Sequence, residues 1–428
     1  MASTYLSKTF GTNSVSNRKF TYSYWIKRNK LGECTMTSAY QSGTYFGGIK
    51  FDSNDRLEVY DYRGSYILQK ITSRKFRDTN SWYHIVIASD TSVGTPDTKI
   101  YVNGVEQTAF DTDTDYNQNG STSFNHSYNN TIGAFGGSSV QQHVDGVMSH
   151  FHFCDGYTYQ ASDFGSTDST TGEWKINVNP SVNYGSNGFW ILKDGNSVTD
   201  ASTNTNNWTV GGGTLLNTQD CPSNVFATMN PLAAGSNMTF GNGNNKVRND
   251  VGTWNSALST IAMGTGKYYW EVYVHGGGDN NTGVTLSSAD GTTHSTVDAG
   301  RVVYSRNGYI YREGLSGQGN VSTGVTYGDG DYIGVAFDTE NGVLTFYKNN
   351  TAVTNGATTD TSFLRSNNEY IVQCGLYNGG EFRFNFGNGS FGSTQLTGTT
   401  YQGDGGNGVF KYDPPSGFTS LSTKGLNL

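Results

Sequence analysis

The chain has 428 residues, more than one hydrophobic core of ordinary size accommodates, so its length predicts at least two domains. Its formal net charge is -8 and only 14% of its residues are charged. It therefore has no basic excess to neutralise phosphates, and no nucleic-acid partner is expected. Aromatic residues also make up 14%, which excludes a disordered chain, and the abundant Gly and Asn suit tight turns. A neutral surface of this kind suits glycan contact or permanent assembly.

Short segments of alternating polarity recur through the first part of the chain. They predict strands at residues 20–26, 57–60, 82–87, 99–102 and 147–153. Asn103 and Gly104 supply a tight hairpin turn. No long segment has an apolar period of 3.6, so we expect helices to be few and short. Short strands separated by turn signals predict an antiparallel β-sandwich over residues 1–165.

The same pattern returns in the second part of the chain. It predicts strands at residues 268–274, 332–337, 343–347, 370–376 and 382–386. Turn signals at residues 338–342 and 348–350 separate three of them. We therefore expect a second β-sandwich over residues 235–395.

Two further segments differ from the predicted sandwiches. Residues 166–234 are rich in Asn, Thr and Gly but contain Trp174, Trp190 and Trp208. A flexible linker seldom carries three tryptophans, so we expect an ordered connector docked on one or both domains. Residues 396–428 include Pro414 and Pro415, which block helix and central strand alike, and we expect an extended C-terminal arm.

The sequence also carries signals of location. No stretch of about 18 apolar residues occurs, so we expect no membrane insertion. The first residues lack a basic stretch followed by an apolar core, so we expect folding in a cytoplasm. Cys34, Cys154, Cys221 and Cys374 lack metal-ligand spacing and are expected to be free, buried thiols.

No motif predicts catalysis. A glycosidase needs two carboxylates that face each other, about 5 Å apart in the retaining class. Glu58 and Asp61 are three residues apart on a predicted strand, so they should face opposite ways. Asp338 and Glu340 lie in a predicted turn. We therefore predict that the protein is not an enzyme.

One acidic segment is the best metal candidate. Oxygen-bearing side chains alternate along it as in a calcium-binding loop, at Asp111, Asp113, Asp115, Asn117 and Asn119. The glycine of the sharp turn and the closing bidentate glutamate of such loops are missing. The alternative is a solvated acidic loop. No other cofactor is expected.

Residues 1–165 resemble the laminin-G-like domains of the concanavalin-A-like lectin/glucanase superfamily. The resemblance lies in the segments at residues 20–26, 82–86 and 99–105, and in Asn-Thr-Ile-Gly at 130–133 followed by Asp-Gly-Val-Met at 145–148. It implies a two-sheet antiparallel jelly roll.

Residues 235–395 resemble a SPRY domain. The matching segments are Gly-Lys-Tyr-Tyr-Trp-Glu-Val at 266–272, the hairpin at 332–347 and Phe-Arg-Phe-Asn-Phe-Gly at 382–387. SPRY domains bind protein partners through loops and have no catalytic residues, so the resemblance implies a binding function.

The order of these parts is similar to that in marine bacteriophage virion proteins. Residues 220–232 look like the segment that precedes SPRY-like domains in such proteins, and residues 414–421 look like their C-terminal ending. The chain departs from long tail fibres because it shows no heptad stalk and no separate N-terminal anchor.

The expected binding residues come from the two domains. Tyrosines offer flat faces that stack on sugar rings or protein surfaces, and the SPRY resemblance implies that loops near residues 275–281 and 306–313 bind. The candidates are Tyr60, Tyr62, Tyr157, Tyr159, His275, Asn280, Arg306 and Arg312.

These observations predict an all-β protein of two antiparallel β-sandwich (jelly-roll) domains joined by an ordered, Trp-rich connector. The predicted function is that of a phage virion protein, as a tail fibre, receptor-binding or head decoration protein. We expect it to contact other virion proteins and a host-surface glycan or protein receptor, as a homotrimer. The alternatives are a stand-alone carbohydrate-binding lectin or a polysaccharide depolymerase.

Overall fold

The computed structural model describes residues 3–12, 14–193, 197–292, 300–313, 319–359, 364–365 and 368–427. The chain divides into two compact units, Met1–Leu216 and Asn217–Leu428. Strands dominate both, and the α-helix among the described residues is the single turn Ala161–Phe164. The predicted all-β fold is confirmed. In the described part of the chain, no helix is long and apolar enough to cross a membrane.

Among its described residues, the first unit contains eighteen strands and the 3₁₀ turn Ser123–Asn125. The strands are β1 (Tyr5–Thr9), β2 (Lys19–Arg28), β3 (Cys34–Ser42), β4 (Tyr45–Phe51), β5 (Arg56–Arg63), β6 (Tyr66–Lys75), β7 (Tyr83–Asp90), β8 (Lys99–Val102), β9 (Val105–Glu106), β10 (Phe110–Thr114), β11 (Asn129–Ile132), β12 (Phe135–Gly136), β13 (Val140–Gln141), β14 (Gly146–Asp155), β15 (Gly165–Thr167), β16 (Trp174–Ile176), β17 (Phe189–Ile191) and β18 (Thr209–Gly212).

In the described part of this unit, two main antiparallel sheets enclose the core, and β12-β13 and β15-β16 form two small ones. The main sheets have the orders β10-β6-β5-β4-β3-β11-β1-β18 and β17-β14-β2-β7-β8-β9. Alternate residues of β2 and β14 point into the core between them, where Tyr24 stacks on Phe151 at 4.7 Å and Tyr22 on Phe153 at 4.5 Å. Aromatic rings therefore supply nearly half of the buried side chains of this core.

The described part of the second unit contains nineteen strands and the 3₁₀ turns Asp404–Gly406 and Gly425–Asn427. The strands are β19 (Met229–Ala234), β20 (Met238–Gly241), β21 (Lys246–Asn249), β22 (Asn255–Met263), β23 (Lys267–His275), β24 (Asn280–Leu286), β25 (Arg301–Ser305), β26 (Tyr309–Glu313), β27 (Val321–Ser322), β28 (Tyr332–Asp338), β29 (Val343–Lys348), β30 (Thr351–Thr359), β31 (Tyr370–Leu376), β32 (Gly380–Asn385), β33 (Ser390–Phe391), β34 (Thr394–Gln395), β35 (Tyr401–Gly403), β36 (Asn407–Phe410) and β37 (Thr419–Ser420).

This unit is also built on two main sheets. Their orders are β19-β22-β31-β24-β25-β26-β27 and β20-β21-β32-β23-β28-β29-β30, and β37 pairs in parallel with β23 beside the second. Trp270 on β23 is fully buried in the core, together with Phe337, Phe346 and Phe384. The hairpin from β28 to β29 lies where the sequence predicts it.

The expected connector divides between the two units. β17 pairs with β14 and β18 pairs with β1, so part of the segment completes both sheets of the first unit. Phe189, Ile191 and Trp208 are buried in that unit's core. Residues from 217 onward belong to the second unit, where β19 pairs with β22.

The four cysteines are free thiols, as expected. Three are buried, but Cys221 is only half-buried, so the expectation that all four lie inside the protein is wrong for that residue. Cys221 lies in a tight turn, forming a bridge with Asn224.

Candidate functional site

An aromatic cluster covers part of the outer face of the larger sheet in the first unit. Tyr60 and Tyr62 lie two residues apart on β5, so both side chains point to the same face. Strand pairing sets Phe46 opposite both Tyr62 and Tyr40, and Tyr66 opposite Tyr62. We call the cluster the aromatic patch, and its members are Tyr40, Phe46, Tyr60, Tyr62, Tyr66 and Phe135.

Contacts between rings hold the aromatic patch together. Phe46 stacks on Tyr62 with ring centroids 5.1 Å apart and meets Phe135 edge-on at 5.7 Å. Tyr66 meets Tyr62 edge-on at 5.2 Å. Such pairs contribute about 0.5–1.5 kcal/mol each beyond the area they bury. The rings are therefore held in fixed orientations before any partner arrives.

The members differ in what they can offer a partner. Tyr66 is 46% exposed, whereas Tyr60 is 5% exposed and lies beneath the other rings of the aromatic patch. Tyr60 lies flat because Gly48 is beneath it: a Cβ at Gly48 would stand 2.6 Å from the tyrosine hydroxyl. Burial raises the pKa of Tyr60, so its hydroxyl stays protonated. The accessible aromatic surface therefore comes from Tyr66 and the half-buried rings beside it.

Polar side chains border the aromatic patch. Lys50 Nζ lies 2.9 Å from Glu33 Oε1, 3.3 Å from Glu58 Oε2 and 5.5 Å from the centre of the Tyr60 ring. Gln69 Nε2 donates to Glu58 Oε1 at 2.9 Å. Burial lowers the pKa of Lys50, but the two glutamates outweigh it and raise the pKa overall. The border offers charged and amide groups beside flat rings.

The strand places Glu58 and Asp61 on opposite faces, as its period predicts. Glu58 faces outward among Lys50 and Gln69. Asp61 is buried on the core side, where it accepts hydrogen bonds from Ser123 N at 2.8 Å and Tyr116 Oη at 2.9 Å. The two carboxylates cannot act together on one glycosidic bond.

Tyr157 and Tyr159 lie elsewhere in the same unit. They pack against the outer face of the smaller sheet in a cluster with Cys154 and Phe164. The Tyr157 carbonyl accepts from Thr21 Oγ1, and Tyr159 N donates to the same hydroxyl at 2.9 Å. The structure does not bring these tyrosines together with Tyr60 and Tyr62.

The calcium candidates are engaged by basic side chains. Lys70 Nζ lies 2.9 Å from Asp113 and 2.8 Å from Asp115, and Arg56 Nη1 lies 2.7 Å from Asp111. Nearby, Arg18 Nη1 donates to Asn119. Within the described residues, no group of three His, Cys, Asp or Glu side chains is arranged to hold a metal ion. Asn117 lies in the turn that follows these aspartates. Calcium binding stays a prediction, and the ion would have to compete with Lys70 for the carboxylates.

The four candidates of the second unit fall into two kinds. Asn280 is fully buried and donates to the Gly278 carbonyl at 3.1 Å. Arg306 donates to the same carbonyl at 2.9 Å, so both hold the loop between β23 and β24 in place. His275 and Arg312 are more accessible: His275 Nδ1 lies 3.4 Å from Asp329 and Arg312 Nε donates to Gly319 O at 2.8 Å. Binding by these residues stays a prediction.

Phe135 is a member of the aromatic patch that the sequence does not indicate. It lies on β12, a strand of two residues, which is too short to show alternation. Its contact with Tyr40 joins positions 95 residues apart, and only the tertiary fold brings these together. No local signal identifies it.

Family comparisons agree with this architecture. Residues 3–157 match a family described as the concanavalin A-like lectin/glucanases superfamily (Laminin_G_3), and residues 267–389 match the SPRY domain. The chain therefore contains a concanavalin A-like domain followed by a SPRY domain, as the sequence motifs predict. Both are typically binding modules rather than enzymes, which suggests a role in recognition. No curated protein sequence matches the chain.

Three solved structures are similar to part of the chain. The SPRY domain of human HERC1 is 16% identical with a TM-score of 0.30, over 40% of this chain and 99% of that one. Stonustoxin is 20% identical with a TM-score of 0.29, over 37% of this chain and 27% of that one. The TRIM65 PSpry domain is 12% identical with a TM-score of 0.28, over 37% of this chain and 88% of that one.

Proposed function

We propose that the protein is a bacteriophage virion component that binds a host-surface glycan through the aromatic patch of its first unit. The patch itself carries the proposal. It combines rings fixed in orientation, an exposed tyrosine face on Tyr66, and the half-buried polar side chains of Lys50 and Gln69 at its border. Flat amphipathic rings beside polar groups suit a sugar, which has an apolar ring face and hydroxyls around it.

A glycan array with the full chain tests the recognition step. We expect binding to one class of bacterial surface polysaccharide, and loss of about tenfold or more in affinity for Tyr66→Ala, since hot-spot aromatics often contribute about 2 kcal/mol. Tyr401→Ala is the matched control, because Tyr401 is 37% exposed, lies in the other unit and is outside the loops expected to bind. An array on which the wild-type protein binds no glycan would contradict the proposal.

A second observation supports the virion assignment. The two segments that resemble phage proteins, residues 220–232 and 414–421, begin 194 residues apart in sequence but meet in the second unit. Ala227 N donates to Leu421 O at 2.9 Å, and Phe226 forms a bridge with Ser422. The contact places both segments in one folded module, which fits the resemblance of both to virion proteins.

The virion assignment has its own experiment. Peptides of this chain should be found by mass spectrometry in purified particles of a phage that encodes it, at many copies per particle. Particles that lack the chain would overturn the assignment and leave the stand-alone lectin as the better explanation. Release of shorter saccharides from a host polysaccharide would establish the depolymerase alternative.

Assembly on a particle also implies partners. We propose contacts with other virion proteins and a homotrimer, because fibres and head decorations are usually trimeric. Light scattering on the purified chain tests the oligomer, and a mass equal to one chain of 46.4 kDa would contradict it.

A further inference from the structure

The first unit carries a polar groove that is separate from the aromatic patch. Its volume is about 610 Å³, within the range of about 300–1,000 Å³ that small-molecule sites occupy. The lining comes from two segments, and it includes Thr12, Ser14, Asn17, Arg18, His126 and Ser127. We call it the polar groove.

A buried carboxylate fixes the two sides of the polar groove. Asp155 is fully buried at the end of β14. Its Oδ1 accepts from Ser14 Oγ at 2.6 Å on one side and from Asn125 Nδ2 at 2.7 Å on the other. Gly156 follows Asp155 with a φ of 82°. Its lack of a side chain leaves room for Val15, because a Cβ at position 156 would lie only 2.7 Å from the Val15 Cβ. The groove is therefore formed before a ligand binds.

Further hydrogen bonds tie the same segments together. Thr122 N donates to Asn17 O at 2.8 Å, and Thr122 Oγ1 donates to Asn125 Oδ1 at 2.6 Å. His126 Nε2 shares a hydrogen bond of 2.7 Å with Ser121 Oγ. The His126 ring stacks on Tyr128, with ring centroids 5.2 Å apart. Preorganised groups of this kind lose little conformational entropy when they bind a ligand.

The charge of the lining selects the ligand. Arg18 is the one charged side chain among the described lining residues, and none of these is an Asp or Glu. Its guanidinium donates to a neutral acceptor, Asn119 Oδ1, at 3.1 Å, and no carboxylate of the described residues pairs with it. Guanidinium groups bind carboxylates through two parallel hydrogen bonds. The neighbouring hydroxyls and amides match the donors and acceptors of sugar hydroxyls.

We infer that the polar groove binds a short acidic saccharide, with Arg18 holding the sugar carboxylate. The inference rests on the proposed glycan recognition and adds a second subsite and a ligand class to it. Ser14, Asn17 and Ser127 then contact hydroxyl groups of the same sugar residues.

The full chain is titrated by calorimetry with digalacturonate and with digalactose, which differ in their carboxylates. We expect the acidic probe to bind at least tenfold more tightly. Arg18→Gln should remove that preference while the digalactose affinity stays unchanged, because a hydrogen bond to a charged group commonly accounts for about a tenfold effect. Arg74→Gln is the matched control, since Arg74 is an exposed arginine of the same unit.

A second variant guards against local misfolding. Ser127→Tyr places a ring in the polar groove without removing any hydrogen bond described for Ser127, and should weaken both probes at least tenfold. Equal binding of the two probes, or unchanged affinities in both variants, overturns the inference. Glycan-array binding that Tyr66→Ala abolishes and Arg18→Gln leaves intact would overturn the groove alone, whereas an array without any binding overturns the proposed function.

Discussion

At the scale of single residues, His84 is a buried base with a defined proton position. Its ring lies between Trp25 and Trp174, and Trp174 Nε1 donates to Nδ1 at 2.9 Å. Because Nδ1 accepts, Nε2 carries the proton and donates to Ser23 Oγ at 2.9 Å. Burial lowers the pKa of His84 to about 3 from its ordinary value of 6.5. The imidazole is therefore neutral in the folded protein throughout the physiological range.

This shift predicts an acid-sensitive first unit. Between pH 6.5 and about 3 the unfolded chain binds a proton at His84 that the folded chain does not, so stability falls as pH falls. The loss from this residue should reach about 2 kcal/mol between about pH 7 and about pH 5. Urea unfolding of wild type and His84→Phe at both pH values measures it. The variant starts less stable but should show a shallower pH dependence, and equal slopes would contradict the expectation.

Lys70 is the second residue with a testable role. Its ammonium is 3% exposed and lies within 2.9 Å of Asp97, Asp113 and Asp115. Burial lowers its pKa, but hydrogen bonds to these carboxylates outweigh that effect and raise the pKa overall, so the side chain stays charged. It occupies the position where a calcium ion would have to bind the alternating aspartates.

Calcium binding can therefore be tested with and without the competing cation. We expect millimolar calcium to leave the melting temperature of the wild-type protein unchanged and to raise that of Lys70→Met, in which Asp113 and Asp115 lose their shared counterion while Asp97 keeps Lys99. Magnesium at equal concentration is the control for ionic strength. A calcium-dependent rise in the wild type would instead support the original metal hypothesis.

At the scale of elements, the C-terminal segment is an integral part of the second unit. Phe410 on β36 is fully buried and meets Tyr269 edge-on at 5.1 Å. Beside it the buried Glu271 carboxylate accepts from Lys411 N at 2.9 Å and from Tyr412 N at 2.8 Å. Burial raises the pKa of Glu271 to about 7, against the effect of these donors. The segment predicted as an arm thus covers the outer face of a sheet.

Loss of this cover should destabilise the unit. Phe410→Ala should lower its free energy of unfolding by about 3–5 kcal/mol, the usual cost of removing a fully buried phenylalanine. Tyr401→Ala in the same segment should cost about 0.5 kcal/mol or less, since Tyr401 is 37% exposed. Denaturant unfolding of the full chain measures both. Equal effects of the two substitutions would show that the segment is only loosely attached.

The elements also mark what a sequence can reveal. Strands such as β2, β23 and β31 can be predicted from alternating polarity, which depends on neighbouring residues alone. The predicted hairpin turn at Asn103 and Gly104 joins β8 to β9, and both residues have positive φ angles. His152 illustrates the opposite case: alternation places this polar side chain on the face opposite Phe151 and Phe153, away from the core between the sheets. It is nonetheless buried, because Tyr184 and Trp190 pack over it.

The candidate site shows the same division. Tyr60 and Tyr62 are indicated as surface aromatics by their residue type and strand, and they do lie on one face. The sequence does not show that Tyr60 is buried beneath the other rings. Its burial depends on contacts with Gly48 and Lys50 of the neighbouring strand. The polar groove around Arg18 has no sequence signal, because its two sides come from segments about 100 residues apart.

At the scale of the whole molecule, each unit has its own hydrophobic core. The first core needs residues beyond 165, because Phe189, Ile191 and Trp208 are buried in it. At about 1.5–3 kcal/mol each, these three side chains contribute about 5–9 kcal/mol, comparable with the total stability of about 5–15 kcal/mol of an ordinary domain. The second core likewise includes Ala227 and Met229, which precede residue 235.

The boundary of the units therefore decides which fragments fold. We expect residues 1–216 and 217–428 to unfold cooperatively when expressed separately, with sharp denaturant transitions and dispersed amide NMR spectra. The matched controls are residues 1–165, the first domain expected from the sequence, and residues 235–428, the second expected domain (235–395) together with the C-terminal segment. Both should lack a cooperative transition. They keep every predicted strand and lose only the buried side chains that lie outside the predicted domains. If the shorter fragments fold as stably as the longer ones, those side chains cover the cores without stabilising them.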